Sequence, residues 1–168
     1  LPYPALRGAY QLANAATVLA VVDLLRDRLP VSAGAIRDGL LGVELQGRFQ
    51  VLPGRPATVL DVAHNPHAAR ALAATLGTMG YFGETLAVFG MLADKDVGGV
   101  VAAVAARIDR WFVATLPGPR GACAAAIRDE LGRAGIAAHA IRTFADIGAA
   151  FAAARGEAGE ADRIIVFG

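Results

Sequence analysis

From Phe49 onward the sequence changes period again and again. Short runs rich in β-branched and aromatic residues occur at Phe49–Leu52, Thr58–Val62, Leu86–Phe89, Trp111–Ala114, Ala137–Ile141 and Ile164–Phe167. Between most of them lie Ala-rich stretches with helical spacing, Pro66–Thr78, Val97–Arg107, Ala122–Ala134 and Ala145–Ala154. This alternation constrains the fold more than any other feature. Parallel strands need a connection long enough for a helix, and strands apolar on both faces must be covered on both sides. The expectation is an α/β fold, a three-layer α/β/α domain around a mostly parallel sheet. The run Phe49–Leu52 has no helix before the next run, so it is expected at an edge or in a hairpin.

The first forty residues read differently. Ala15, Val18, Val22, Leu25 and Leu29 recur at spacings of three and four, which predicts one apolar helix face ending before Pro30. Ser32 is placed to cap a second, short helix towards Leu40. Gly39 and Gly42 break the pattern, so a domain boundary is expected near Gly42, giving units 1–42 and 43–168. No repeat or low-complexity linker is visible. The start at Leu1-Pro2 and the stop at Gly168, directly after an apolar run, give the expectation of a piece of something longer.

Composition narrows the function classes. With 55% hydrophobic residues, 18% charged and a net charge of +1, the chain can bury a core and is not expected to be disordered. Near-neutrality gives no general attraction to nucleic acid or to an anionic membrane. No apolar run approaches the roughly 18 residues of a membrane span. The single cysteine, Cys123, excludes an internal disulfide and suits a reducing cytoplasm. It reads as a small helix-packing residue, and His139 as structural.

In an open parallel sheet, ligands bind at the carboxyl ends of the strands, and the loops expected there are polar. The second run leads into Asp61-Val62-Ala63-His64-Asn65-Pro66-His67, where Asn65 suits an N-cap and Pro66 the first helical position. Asp61 and His64 are then left without an obvious structural task, although Asp61 could equally bond backbone amides in the turn. His67 falls in the first helical turn and faces solvent. The third run leads into Gly90-Met91-Leu92-Ala93-Asp94-Lys95-Asp96, with Asp96 a plausible cap and Lys95 either a ligand group or a solvated ion pair. The fourth leads into Gly118-Pro119-Arg120-Gly121, where packing gives no reason for arginine. A carboxylate with an imidazole, a lysine and an arginine at one end of a sheet suit a small, charged ligand.

Several signatures are missing. There is no Gly-x-Gly-x-x-Gly turn after a strand, no phosphate-cradling Gly-x-x-x-x-Gly-Lys-Ser/Thr loop, no Cys/His set with zinc spacing and no serine nucleophile elbow. A dehydrogenase is therefore a distant reading. Composition and spacing alone stop at a three-layer α/β domain with an unidentified charged ligand.

The motifs themselves go further. Asp61-Val62-Ala63-His64-Asn65-Pro66-His67-Ala68-Ala69 resembles the C-terminal signature of the folylpolyglutamate synthases and bifunctional dihydrofolate synthases of the Mur ligase superfamily. Gln11-Leu12-Ala13-Asn14-Ala15-Ala16, Gly47-Arg48-Phe49-Gln50, Gly90-Met91-Leu92-Ala93-Asp94-Lys95-Asp96 and Gly118-Pro119-Arg120-Gly121-Ala122 resemble the same family in the same order. The resemblance spans essentially the whole chain. It implies a Rossmann-like C-terminal domain over 43–168, preceded by the last helices of a central ATPase domain over 1–42. It also implies an ATP-dependent amide ligase that phosphorylates a pteroate or folate carboxylate, after which the amine of L-glutamate displaces phosphate.

By the family pattern Asn14, Arg48 and Asp61 would contact ATP, with Arg48 on phosphate and Asp61 on ribose hydroxyls. His64, with Asp61, would serve the reacting groups, and Lys95 and Arg120 would face folate and glutamate. The family's phosphate loop and Mg2+ ligands would lie in an N-terminal part, so no metal ligand is expected here and the 168 residues alone are expected to be inactive. The family's Gly-Ser loop near the glutamate site would likewise follow the last strand. The resemblance implies a cytoplasmic monomer, and Arg and Ala usage, with Lys95 as the sole lysine, suits a GC-rich bacterial gene. Two rivals remain: a non-catalytic nucleotide-binding or interaction module of the same fold, and a Mur-type ligase acting on a cell-wall precursor.

Overall fold

A computed structural model describes residues 1–168. Six strands form one sheet: β1 (Gln50–Leu52), β2 (Ala57–Leu60), β3 (Thr85–Phe89), β4 (Arg110–Ala114), β5 (Ile141–Phe144) and β6 (Arg163–Phe167). They lie side by side in the order β1-β2-β6-β3-β4-β5. All pairings are parallel except β1 with β2, the hairpin expected from the missing helix. The six helices are α1 (Tyr10–Leu24), α2 (Ala33–Gly42), α3 (Pro66–Thr78), α4 (Val97–Val104), α5 (Ala124–Arg133) and α6 (Ile147–Glu157). None is long and apolar enough to cross a membrane.

Chain direction decides the layers. The crossovers through α3, α4 and α5 all advance the same way across the sheet, and right-handed connections keep such helices on one face. Their Leu72, Leu76, Val100, Val101, Val104, Ile127 and Leu131 pack with Val59, Phe89, Trp111, Ile165 and Phe167 of the strands. The connection from β5 back to β6 runs in the opposite direction, so α6 covers the other face, where Ala150 and Ala154 meet Leu86, Val88, Phe112 and Ile164. Central β3 is buried along its whole length, which explains its unbroken apolar run. The three-layer α/β/α expectation is met.

Capping follows the sequence. Ser32 Oγ accepts from Ala35 N–H, Asn65 Oδ1 from Ala68 N–H and Asp96 Oδ1 from Gly99 N–H, at 3.1, 2.9 and 2.8 Å. These bonds satisfy first-turn amides that otherwise have no partner in the helix.

Three expectations need correction. The strand expected at Ala137–Ile141 begins only at Ile141, because Ala138–Ala140 form a 3-10 turn that carries the chain from α5 to the register in which Ile141 pairs with Trp111. As an edge strand with exposed Arg142 and Thr143, β5 lacks the apolar run that marks its neighbours. Helix α1 ends at Leu24 rather than near Pro30, and its expected apolar face is only partly covered: Ala15, Val22 and Leu25 are half-buried, whereas Val18 is 56% and Leu29, beyond the helix, 61% exposed. Cys123 is exposed at the start of α5, not packed against a helix. His139 is exposed in the 3-10 turn.

Candidate functional site

The loops that leave the carboxyl ends of β2, β3 and β4 carry the polar residues picked out by sequence. After β2, Asp61 keeps the sheet register for one more residue, its N–H donating to Val166 O at 3.0 Å. Ala63 is buried and turns the chain so that His64 stands exposed at the rim. His64 Nδ1 lies 2.8 Å from Val62 O. A carbonyl only accepts, so Nδ1 donates to it and Nε2 is the ring nitrogen left without a partner.

Asp61 has the structural task that was the alternative expectation, accepting from a backbone amide. Its Oδ2 accepts the Phe49 N–H at 2.9 Å, tying β2 to the turn Gly47–Phe49. Phe49 has φ +47° with its side chain 3% exposed in the core, a backbone region that bulky residues rarely adopt. A Cβ on Gly47, at φ +67°, would stand 2.9 Å from Val62 Cγ1, so only glycine fits there. Between these two fixed points Arg48 is exposed, makes no ion pair, and borders a 390 Å³ cavity with Arg7, Glu44 and Gln50.

Tyr10 joins this cluster from the start of α1. Burial raises its phenol above the usual value, and the neighbouring Asp61 carboxylate adds to the rise. Burial likewise raises the Asp61 carboxyl, against the opposing pull of the Phe49 and Ala63 amides and of Arg48. Asn14, one turn along α1, bonds only to Gln11, its Nδ2 donating to Gln11 Oε1 at 2.9 Å. Gln11 is 5% exposed, a buried amide that fixes Asn14 in place.

The next two loops are zipped together. Leu92 bridges to Gly121, Ala93 N–H donates to Arg120 O at 2.8 Å, and Ala122 N–H donates to Met91 O at 2.9 Å. Arg120 Nη2 donates to Asp94 Oδ2 at 2.8 Å, and this guanidinium holds the Asp94 carboxyl below its ordinary range. Arg120 therefore does have a local partner, which the sequence reading did not supply. Lys95 has none, despite its two acidic neighbours. It borders a 420 Å³ cleft with His64, Leu92, Leu116 and Gly168, and a second cavity of 570 Å³ with Cys123 and Glu130.

The structure thus brings His64 and Lys95 to one cleft, and Arg48, Asp61 and Tyr10 to a neighbouring cluster. It does not bring Asn14 or Arg120 into hydrogen-bond contact with either group. Tyr10 was missed by sequence reasoning; its position directly before the Gln11–Asn14 segment was the available signal. No group of three or more His, Cys, Asp or Glu side chains could hold a metal ion.

Residues 47–168 match the Mur ligase, glutamate ligase domain. The dihydrofolate synthase/folylpolyglutamate synthase of Escherichia coli strain K12 is 41% identical over 155 residues, covering 92% of this chain and 35% of that protein. Escherichia coli FolC in complex with DHPP and ADP matches with a TM-score of 0.86 at 39% identity, covering 100% of this chain and 37% of the other. A bifunctional folylpolyglutamate synthase/dihydrofolate synthase with Mn, AMPPNP and L-glutamate bound gives a TM-score of 0.86 at 43% identity, covering 100% and 38%. The chain spans 35% of the length of that curated relative and 25% of the next, from Buchnera aphidicola.

Proposed function

The chain belongs to the Mur ligase family, and from that premise we propose that it forms part of an ATP-dependent amide ligase adding L-glutamate to dihydropteroate, to folate polyglutamate, or to both. The observation that carries this reading is the row of charged groups at the carboxyl ends of adjacent strands. Arg48, free of any ion pair, stands beside Asp61, and unpaired Lys95 shares a cleft with His64. Such a row suits two anionic substrates meeting at one reacting carbonyl.

The chemistry balances in two steps. A pterin-linked carboxylate oxygen attacks the γ-phosphorus of ATP and ADP leaves, giving an acyl phosphate. The amine of L-glutamate then attacks the acyl carbon, the C–O bond to phosphate breaks, and an amide and inorganic phosphate result. Carboxylate oxygen is a poor leaving group until it is phosphorylated, and cations are needed where charge develops on the transferring phosphoryl. Arg48 meets phosphate charge, and the Asp61 oxygen not engaged by Phe49 accepts from ribose hydroxyls. Asn14 contacts the nucleotide from α1. His64, through the Nε2 that the Val62 carbonyl leaves free, takes a proton from the incoming ammonium, and Lys95 and Arg120 receive carboxylates of glutamate or folate.

These residues do not make a metal site of three or more His, Cys, Asp or Glu side chains. On this reading Mg2+ is held elsewhere in the enzyme, which works as a cytoplasmic monomer. Residues 1–42 belong to its central ATP-binding domain and 43–168 to its C-terminal domain. Ten of the thirteen exposed large apolar side chains fall within the first 45 residues, which supports α1 and α2 as parts of a neighbouring unit. By itself the 168-residue chain turns over no substrate.

The test is ADP release by the full-length enzyme with Mg-ATP and L-glutamate, offered dihydropteroate and a reduced folate in turn, beside Asp61→Ala and His64→Ala. Release that depends on a pterin acceptor and falls about 100-fold in the variants supports the reading. Release with no pterin dependence overturns it in favour of another Mur-type substrate, and no release at all in favour of a binding module.

A further inference from the structure

The turn that carries Arg48 is held more tightly than a surface loop needs to be. Three consecutive backbone amides run through it, and each is occupied. Gly47 N–H donates to Gln50 Oε1 at 3.2 Å, Arg48 N–H to Leu45 O at 3.4 Å, and Phe49 N–H to Asp61 Oδ2 at 2.9 Å. Gly47 O in turn accepts from Val62 N–H at 2.9 Å. Successive amides flanked by positive-φ residues commonly form an anion-binding concavity. Here none of the three is free, so the turn can present an anion only with the Arg48 guanidinium. Two side chains fix it, Gln50 and Asp61, and of these Gln50 is the one with no proposed contact to the nucleotide.

We infer that Gln50 is a positioning residue for Arg48: by accepting the Gly47 N–H from its place on β1, it fixes the turn Gly47–Phe49 and so aims the guanidinium at the nucleotide phosphates. This rests on the proposed role of Arg48. The geometry gives Gln50 a task of its own. It is half-buried on β1, opposite Leu60 in the hairpin, so its backbone is fixed by the sheet and its side chain reaches back over its own turn. Removing the acceptor leaves the Gly47 amide without a partner and releases one end of a turn strained at Phe49. Glutamate at the same position keeps an acceptor oxygen at the same reach.

The test is a double-mutant cycle in the full-length enzyme, with kcat/KM for ATP and KM for L-glutamate as readouts. Gln50→Leu should lower kcat/KM for ATP about 2- to 10-fold, the range of one net hydrogen bond, and leave the glutamate KM unchanged. Gln50→Glu should restore most of the loss. In an Arg48→Ala background Gln50→Leu should cost nothing further. If Gln50→Leu does not fold, Gln50→Ser, whose hydroxyl is too short to reach Gly47, takes its place. Arg48→Ala with an unchanged kcat/KM for ATP would overturn the nucleotide role of Arg48 itself. A strong Arg48→Ala effect with no Gln50 effect, with an equal Gln50 effect in both backgrounds, or with a shifted glutamate KM, would overturn the positioning role alone.

Discussion

Asp61 joins two demands that pull in opposite directions, and its two simplest substitutions separate them. Its Oδ2 accepts the buried Phe49 amide at 2.9 Å, while burial raises its carboxyl above the ordinary carboxylate value. Asp61→Ala removes the acceptor and strands an N–H beside a side chain that is 3% exposed. An unsatisfied buried donor costs about 1–3 kcal/mol, and a domain of this size shifts by about 2–4 °C per kcal/mol, so the melting temperature should fall by about 2–12 °C. Asp61→Asn keeps an oxygen for Phe49 and removes the buried charge. Because the folded pKa is raised, the folded protein holds this proton to higher pH than the unfolded chain. The carboxyl's favourable contribution is complete below its ordinary value of 3.8 and is lost as pH rises through the raised one. Relative to wild type, Asp61→Asn should therefore gain stability across that window and keep the gain at neutral pH. Thermal melts of the chain followed by circular dichroism from about pH 4 to pH 8 read this directly. If Asp61→Asn melts as low as Asp61→Ala at pH 7, attraction to Arg48 outweighs burial and the reasoning fails.

Other changes test other parts of the structure. Asn65→Ala removes the cap of α3 and should cost about 1 kcal/mol in urea unfolding; no loss would mean the Pro66 backbone alone holds the helix start. Arg163 is 7% exposed, with Nε on Thr85 Oγ1 and Nη1 on Leu76 O, both at 2.9 Å. Arg163→Met should lose about 1–3 kcal/mol through the unpaired Thr85 and Leu76 groups, and an unchanged midpoint would refute that. Asp94→Asn breaks the exposed pair with Arg120 and should leave the melting temperature at pH 7 unchanged, since such pairs contribute little. With the folded Asp94 pKa lowered, what the pair does contribute is lost as pH falls below the carboxylate range, so a difference that grows with pH above neutrality would contradict the assignment.

The layered fold was legible because its evidence is local. The period of each segment, its length and its flanking caps decide strand against helix, and the unbroken apolar run Leu86–Phe89 leaves little choice. What escaped depends on neighbours far along the chain. Edge strand β5 is half polar, so its register is set by pairing with β4 and not by its own pattern. Helix α1 has a regular apolar face that this chain only partly covers, so spacing could not say where it stops. The site divides in the same way. His64 and Lys95 could be assigned to the same end from the expected parallel sheet alone, whereas the bond from Asp61 to Phe49 and the nearness of Tyr10 join residues from separate segments. Such long-range bonds leave no periodic trace.

The place of β6 has a consequence for synthesis. Residues Arg163–Phe167 insert between β2 and β3, so Ala57 and Thr85 both wait for Arg163 before either finds its parallel neighbour. A ribosome delivers the N-terminal strands first. Until the last strand arrives, β2 and β3 present open edges, and the core lacks Ile164, Ile165 and Phe167. The nascent sheet therefore has a gap down its middle until β6 is made. Its final closure joins segments roughly a hundred residues apart, a kind of contact that makes folding slow.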